Sequence, residues 1–291
     1  MSSARQTQLT AILTMVAAMA CLSTQDTLSK KLMLSVAPVI IIWTRYALQT
    51  ALVSATIWRR HSPELWRTRQ WRLQLLRGAL VVGGSVFGYG ALQRMPVAEF
   101  TAIYCLVPLA VTFVARFVMK ESVSWLGWLC VAGGMMGAML VVRPGGDVDS
   151  MGASLALMGV VCYTGFQTLT GHLARQDSPL TIQLCTSVLG FALMSAAVPF
   201  FWPDQISWPD LALLGLVALA GSYGQYFTVL AFSKAPASVL TPYLYSAIGF
   251  SALGGWWMFD HLPDTLALCG MGMIAGFGLA AGWLNQRKAK P

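Results

Sequence analysis

The stretch Gly84-Ser85-Val86-Phe87-Gly88-Tyr89-Gly90-Ala91-Leu92-Gln93-Arg94-Met95-Pro96 decides the fold, because a second version of it runs from Gly221 to Pro236. Gly84-Ser85 and Tyr89 return as Gly221-Ser222 and Tyr226, and Ala91, Arg94, Pro96 and Thr101 return as Ala231, Lys234, Pro236 and Thr241. Working outward, Thr27-Leu28-Ser29 with Leu32 and Pro38 matches Thr168-Leu169-Thr170 with Leu173 and Pro179. On the other flank, Cys130, Gly133 and Gly137 match Cys269, Gly272 and Gly276. Four blocks in the same order, with small slips of register between them, describe a duplicated chain. Its halves are residues 1–145 and 146–291.

Composition says what solvent surrounds those halves. A soluble protein carries roughly 25% charged residues, whereas this chain of 291 residues has 10%, with 56% hydrophobic and a mean hydropathy of +0.64. These values exclude a soluble globular domain, a disordered chain and a secreted disulfide scaffold. An integral membrane protein remains. Apolar stretches fall at 9–28, 36–58, 75–93, 96–118, 123–142, 151–171, 180–202, 209–231, 236–258 and 264–284, each long enough to cross a bilayer as a helix. Spanning strands alternate apolar and polar residues, and no such alternation occurs. The expected fold is an all-α polytopic membrane protein: ten transmembrane helices as two inverted five-helix repeats. Turn residues punctuate it at Pro38, Pro96, Pro144-Gly145-Gly146, Pro179, Pro203 to Pro209, Pro236 and Pro263. The first span, with Ala18-Met19-Ala20 before Cys21, has the look of a signal peptide, but nine more apolar segments follow and it reads as a retained helix.

Basic residues set the orientation. With the N-terminus inside, fourteen of nineteen fall in cytoplasmic segments: Arg5; Arg59, Arg60, Arg67, Arg69, Arg72 and Arg77; Arg116 and Lys120; Arg175; Lys234; Arg287, Lys288 and Lys290. Only Lys30, Lys31, Arg94 and Arg143 fall outside, and Arg45 lies within a span. This positive-inside bias places both termini in the cytoplasm of a bacterial-type inner membrane. It also accounts for the net charge of +8 without a nucleic-acid partner. The basic loop 59–74, with Trp66 and Trp71, reads as an interfacial anchor ahead of a regulatory lipid-binding segment.

Five spans per half is an odd number, so the second half starts on the opposite face and the repeats are inverted. Inverted repeats are the architecture of secondary transporters, with the substrate held near the midplane between them.

The Ala91-Leu92-x-x-Met95-Pro96-x-Ala98 block leading to Pro108, and Glu121 before a Gly-rich helix, resemble an EamA-type repeat of the drug/metabolite transporter superfamily. Ala231-Phe232-x-x-Ala235-Pro236-Ala237, followed by Thr241-Pro242-Tyr243-Leu244-Tyr245, resembles the partner repeat. The whole is similar to bacterial exporters of aromatic amino acids of the YddG type. The resemblance implies a central cavity lined by helices 1, 3, 4, 6, 8 and 9 that opens alternately to either side. The second copy departs from the family pattern by having Phe259-Asp260-His261 where an acidic residue usually follows glycine.

No catalytic signature occurs: H-E-x-x-H, G-x-S-x-G, Walker A and the Rossmann glycine fingerprint are all missing. An enzyme is therefore not expected, and neither is a cofactor. His61, His172 and His261 are far apart in sequence and do not suggest a metal site. The six cysteines lie within spans without a C-x-x-C and read as small buried residues. Gly84-x-x-x-Gly88, Gly133-x-x-x-Gly137, Gly272-x-x-x-Gly276 and Gly278-x-x-x-Gly282 allow close helix approach. Packing within one chain explains them ahead of a dimer, so a monomer suffices.

Ionisable groups inside spans are functional candidates by default. Arg45 either pairs with an acid to fix helices or receives a substrate carboxylate, the structural pair being favoured. Asp26 pairs locally with Lys30, or couples protons, or accepts a substrate ammonium. Glu99 sits in the first turn after Pro96, where the helix dipole favours an acid. Ser23, Thr24, Gln25 and Asp26 on helix 1, and Tyr163, Thr164, Gln167 and Thr168 on helix 6, are expected near the outer and inner gates. Thr24, Gln25, Asp26 and Arg45 are the gating or coupling candidates. Tyr89, Gln93, Tyr104, Tyr163, Gln167, Tyr223, Tyr226, Tyr243 and Tyr245 are the candidate substrate contacts. Such an aromatic wall with hydroxyl and amide groups suits an amphipathic, mostly apolar solute and suits a sugar nucleotide poorly. The expected function is export of small metabolites, aromatic or other neutral amino acids first, by alternating access. The same fold carrying drugs or organic cations is the alternative, and a lipid-modifying membrane enzyme or a channel is the reading from another class.

Overall fold

The computed structural model of the chain describes residues 2–61, 65, 68, 70–107, 109–111, 114, 125–142, 149–173, 177–203, 205–235, 240 and 243–288. Pro108, Glu121, Pro236, Thr241, Pro242 and Trp66 lie outside these residues, as do Arg67, Arg69, Arg116, Lys120, Arg143, Arg175 and Lys290. Among the described residues there is no strand. The helices are α1 (Ser2–Leu32), α2 (Pro38–Arg59), α3 (Trp71–Arg94), α4 (Val97–Tyr104), α5 (Trp125–Val142), α6 (Ser150–Leu173), α7 (Pro179–Ala197), α8 (Trp208–Lys234), α9 (Ser246–Phe259) and α10 (Thr265–Lys288), with a 3₁₀ turn at Val198–Phe200. Backbone groups find no partner in hydrocarbon, so the apolar stretches close their hydrogen bonds internally as helices. Within α1, α2, α3, α6, α7 and α8 lie six segments long and apolar enough to cross a bilayer; Val97–Val111, Trp125–Val141 and Thr265–Ala280 are shorter apolar helices. The protein is a multi-pass membrane protein.

Local chemistry sets the helix ends. Pro38 and Pro179 occupy the first turn of α2 and α7, where the missing N–H is no loss. Ser178 and Ser207 cap α7 and α8 through their hydroxyls, accepting the Thr181 and Asp210 N–H groups at 3.1 and 3.3 Å. The repeated Ala91-to-Pro96 block appears as a repeated break. Met95 (φ −139°, ψ 157°) and Ala235 (φ −146°, ψ 149°) are both extended, and both donate their N–H to the alanine four residues back. A residue before proline is driven out of the α region by the ring, so one sequence feature produces the same helix stop twice.

The main helix contacts form a symmetric set. The broadest contacts are α1 with α8, α3 with α6 and α5 with α10, followed by α2 with α7, α1 with α9, α2 with α8, α3 with α7, α4 with α9 and α4 with α6. Exchanging the first five helices for the last five leaves that set unchanged.

Glycine makes the α5–α10 crossing possible. A Cβ on Gly137 would sit 2.8 Å from the Gly270 carbonyl oxygen, and one on Gly270 would sit 2.6 Å from that of Gly137. The expected Gly272-x-x-x-Gly276 contact does not form among the described residues, where a Cβ on either glycine meets nothing within 4 Å. Gly270, on another face of α10, takes that role.

Two expectations about charge also change. Helix α3 begins at Trp71, and Arg77, counted with the cytoplasmic basic residues, lies 5% exposed with its guanidinium bonded to α6 and α7. Lys30 does not bond to Asp26 but caps the end of α3, donating to the Leu92 carbonyl at 3.1 Å and to that of Met95. At the start of α4, Glu99 accepts from His261 Nε2 at 3.2 Å, and Asp260 (φ 50°) closes α9 in the left-handed conformation.

Candidate functional site

The α3 sequence puts Gln74, Arg77, Ser85 and Tyr89 on one buried face at helical spacing. Helices α1, α2, α6 and α8 supply the rest of a polar and aromatic cluster around it. The Arg45 Nη2 donates to Ser85 Oγ at 2.8 Å, and Ser85 donates onward to the Val81 carbonyl at 2.8 Å. Its guanidinium lies 4.7 Å from the Tyr46 ring centroid and 5.9 Å from that of Tyr89, both within cation–π range. Tyr89 shares a hydrogen bond with Ser29 of α1 at 3.2 Å, and Tyr46 another with Ser85 at 3.2 Å.

Gln25 donates to its neighbour Asp26 at 2.9 Å, and Asp26 lies within electrostatic reach of Arg45. No carboxylate hydrogen-bonds to Arg45 among the described residues. The favoured structural ion pair is thus replaced by hydroxyl and aromatic partners. Two atoms of the cluster, Gln25 Oε1 and Arg45 Nε, are buried with no hydrogen-bond partner among the described residues. A Cβ at Gly221 would overlap Gln25 Oε1 and approach Arg45 Cδ at 3.2 Å, so α8 needs glycine there to come this close.

A ladder of rings runs beside the charged groups. Phe100 and Tyr104 lie 4.5 Å apart, Tyr104 and Tyr163 5.9 Å, and Tyr163 and Phe166 5.1 Å, centroid to centroid. Tyr104 donates to the Gly84 carbonyl at 3.0 Å, and Gln225 donates to Tyr163 at 3.3 Å. The ladder ends at a second buried cation, since the Arg77 guanidinium lies 4.4 Å from the Phe166 centroid. Arg77 donates to Thr170 Oγ1 at 2.7 Å, to the Ile182 carbonyl at 3.2 Å and to Thr186 Oγ1. One turn earlier, Gln74 donates to Asp177 at 2.9 Å, which Thr68 also reaches.

A cavity lies beside this cluster, at the α2 and α7 side of α8. About 190 Å³ in volume, it opens between α2, α7 and α8, with Gln49, Leu52, Val53 and Thr56 on one wall and Leu180 and Gln183 on the next. Ser222, Tyr223 and Tyr226 complete it.

The sequence candidates therefore divide. Gln25, Asp26, Arg45, Tyr89, Tyr104 and Tyr163 come together in the cluster, whereas Tyr223 and Tyr226 face the cavity. Gln167 is half-buried one turn along from Tyr163. Tyr243 packs with the α1–α8 core, and buried Tyr245 lies against Gly278 with its hydroxyl unpartnered. Thr24 and Gln93 are exposed, Thr24 bonding back to the Ala20 carbonyl at 2.8 Å. Sequence reasoning missed Arg77, Gln49, Gln183 and Ser222. The spacing of Gln74, Arg77, Ser85 and Tyr89 on one helix face was the available signal for Arg77. Among the described residues, no group of three His, Cys, Asp or Glu side chains is placed to hold a metal.

Residues 9–143 match the EamA-like transporter family. The chain is similar to a riboflavin transporter of Brucella anthropi, 25% identical over 83% of this chain and 86% of that one. It is also similar to an S-adenosylmethionine uptake transporter of Rickettsia felis, 21% identical over 94% of this chain and 92% of that one. One solved crystal structure matches over 100% of this chain and 99% of its own, at 21% identity with a TM-score of 0.65, and that likeness shows the fold. The matched family is one of transporters, and both named relatives are transporters.

Proposed function

We propose that this transporter carries a small amphipathic metabolite with an aromatic ring, by alternating access between two inverted five-helix halves, residues 1–145 and 146–291. The observation that carries the reading is the partly buried cluster of Gln25, Asp26, Arg45, Tyr89, Tyr104 and Tyr163, in which Gln25 Oε1 and Arg45 Nε are buried with no partner among the described residues. Intramembrane charges are costly and are kept where a substrate or ion passes. An acid and a base beside tyrosine rings suit an α-amino-acid head group joined to an aromatic body. Aromatic amino acids have that form, and so does S-adenosylmethionine, the cargo named for one relative. Riboflavin, named for another, shares the ring without the charges.

The helix contacts that survive exchange of the halves support the duplication, and five spans per half support its inversion. The positive-inside count supports cytoplasmic termini and an inner membrane; removing buried Arg77 from the cytoplasmic set leaves thirteen basic residues against four. Because the halves are alike, net direction follows the substrate gradient, and export and uptake use the same machine.

The test is flux into proteoliposomes of purified protein, using labelled tryptophan, phenylalanine, S-adenosylmethionine and riboflavin, with a sugar nucleotide as control. Saturable flux of an aromatic ligand, and none of the sugar nucleotide, is expected. No saturable flux of any of the four would overturn the reading.

A further inference from the structure

The cavity between α2, α7 and α8 contributes nothing to the charged cluster, yet its walls are unusual for a membrane-level crevice. Three polar side chains lining it are more than nine-tenths buried: Gln49 and Gln183 at 7% exposure and Ser222 at 6%. Ser222 Oγ has no hydrogen-bond partner among the described residues. Leaving such a group unmade costs about 1–3 kcal/mol, so an occupant that bonds to it is favoured. Among the described residues no acid, base or histidine lines the cavity, and an ionised occupant would find no counter-charge in that lining. Tyr223 and Tyr226 remain 49% and 40% exposed and offer ring faces.

We propose that this cavity is a binding subsite for an uncharged planar heteroaromatic ring whose edge carries neighbouring hydrogen-bond donors and acceptors. A glutamine amide presents one donor and one acceptor in a plane, so it matches such an edge with two bonds at once. Gln49 and Gln183 face the space from different helices, Ser222 supplies a hydroxyl, and the tyrosines cover a ring face. The subsite adjoins the charged cluster. Gln49 lies one turn along α2 from Arg45, and Ser222 follows Gly221, where an added Cβ would overlap Gln25 and crowd Arg45. A ligand with a ring and a polar tail can occupy both. The proposal rests on the transporter reading and deepens it by naming which part of the ligand goes where.

The test uses the full chain in lipid nanodiscs and lumiflavin, an uncharged tricycle with an imide edge, followed by quenching of its fluorescence. Saturable binding is expected, roughly 10-fold weaker for Gln49→Leu and for Gln183→Leu and a few-fold weaker for Ser222→Ala, with a tenfold change corresponding to about 1.4 kcal/mol. On the wild type, 3-methyllumiflavin, which blocks the edge, should bind about tenfold more weakly; this comparison needs no variant and decides the matter even if a substitution misfolds. Equal affinity for the two flavins, no binding of lumiflavin, or displacement of lumiflavin by added phospholipid at unchanged affinity in all variants would overturn the proposal. Those outcomes leave the transporter reading intact if proteoliposome flux persists. Edge-dependent binding without any flux would instead retain the subsite and remove the transporter.

Discussion

Replacing Arg77 with methionine is expected to leave the fold standing while loosening the Trp71 end of α3 from α7. Three contacts hold the guanidinium, to Thr170, to the Ile182 carbonyl and to Thr186. Hydrogen bonds from a charged donor contribute about 1.5–3 kcal/mol each, or about 5–9 kcal/mol gross. Against this stands the cost of burying a cation to 5% exposure with no hydrogen-bonded carboxylate among the described residues, which is several kcal/mol. The two nearly offset. Methionine leaves no orphan behind, because Thr170 and Thr186 already donate to the Phe166 and Ile182 carbonyls at 2.6 and 2.9 Å. The melting temperature should therefore move by less than about 5 °C.

What changes is the work of separating α3 from α7, which in the wild type breaks both Nη1 contacts. A net loss of about 1.4 kcal/mol shifts the open population tenfold. Cys185, half-buried beside Thr186, is a native reporter once the other five cysteines are replaced. Its maleimide labelling should run about tenfold faster in Arg77→Met, with Arg77→Lys in between. An unchanged labelling rate at unchanged melting temperature would refute the reasoning, and so would a drop of 15 °C or more.

Three further perturbations follow from the packing and the loop charges. Gly137→Val should destabilise by about 1–3 kcal/mol through overpacking against Gly270, whereas Gly272→Ala, with open space around it, should be neutral or slightly stabilising; thermal unfolding of the pair distinguishes them. Gly221→Ala should displace Gln25 and cut flux at least tenfold with little change in unfolding temperature, a split that a purely structural glycine would not give. Ahead of α6, the Arg94 hydrogen bond, helped by the Met151 N–H, holds the Asp149 carboxyl below the usual carboxylate range. A lowered folded value means the stabilisation is present above the unfolded pKa, near 4, and fades as pH falls through the folded value. Asp149→Asn should lower the melting temperature slightly at pH 7 and not at pH 2; an equal effect at both would show that the charge is irrelevant.

Much of the helical frame was legible because proline and apolar length act locally. Pro38 and Pro179, both expected as turn residues between spans, open helices, and the extended residues Met95 and Ala235 before Pro96 and Pro236 stop them. Which glycine face packs was not legible: Gly272 and Gly276 have the motif, yet Gly270 makes the contact, because the rotation of α10 is set by its neighbours. Charge was misread where a helix began earlier than its apolar run. Arg77, near the start of the 75–93 span, counts with the cytoplasmic charges by sequence, but it is buried and bonds to Thr170 and Thr186 offset the cost. Arg45 and Asp26 stood out because any charge in a span does. Gln49, Gln183 and Ser222 did not, since uncharged polar residues in spans are common and only the packing of α2, α7 and α8 puts them around one space.

The most direct test of alternating access between the halves is two-sided accessibility in a cysteine-free background. Thr24→Cys reports on α1 and Thr168→Cys on the matching helix α6, each labelled by an impermeant maleimide in oriented vesicles with and without the transported ligand. The account expects ligand to speed one position and slow the other, and reversing the gradient to exchange them. Two positions whose rates rise and fall together under every condition would contradict it.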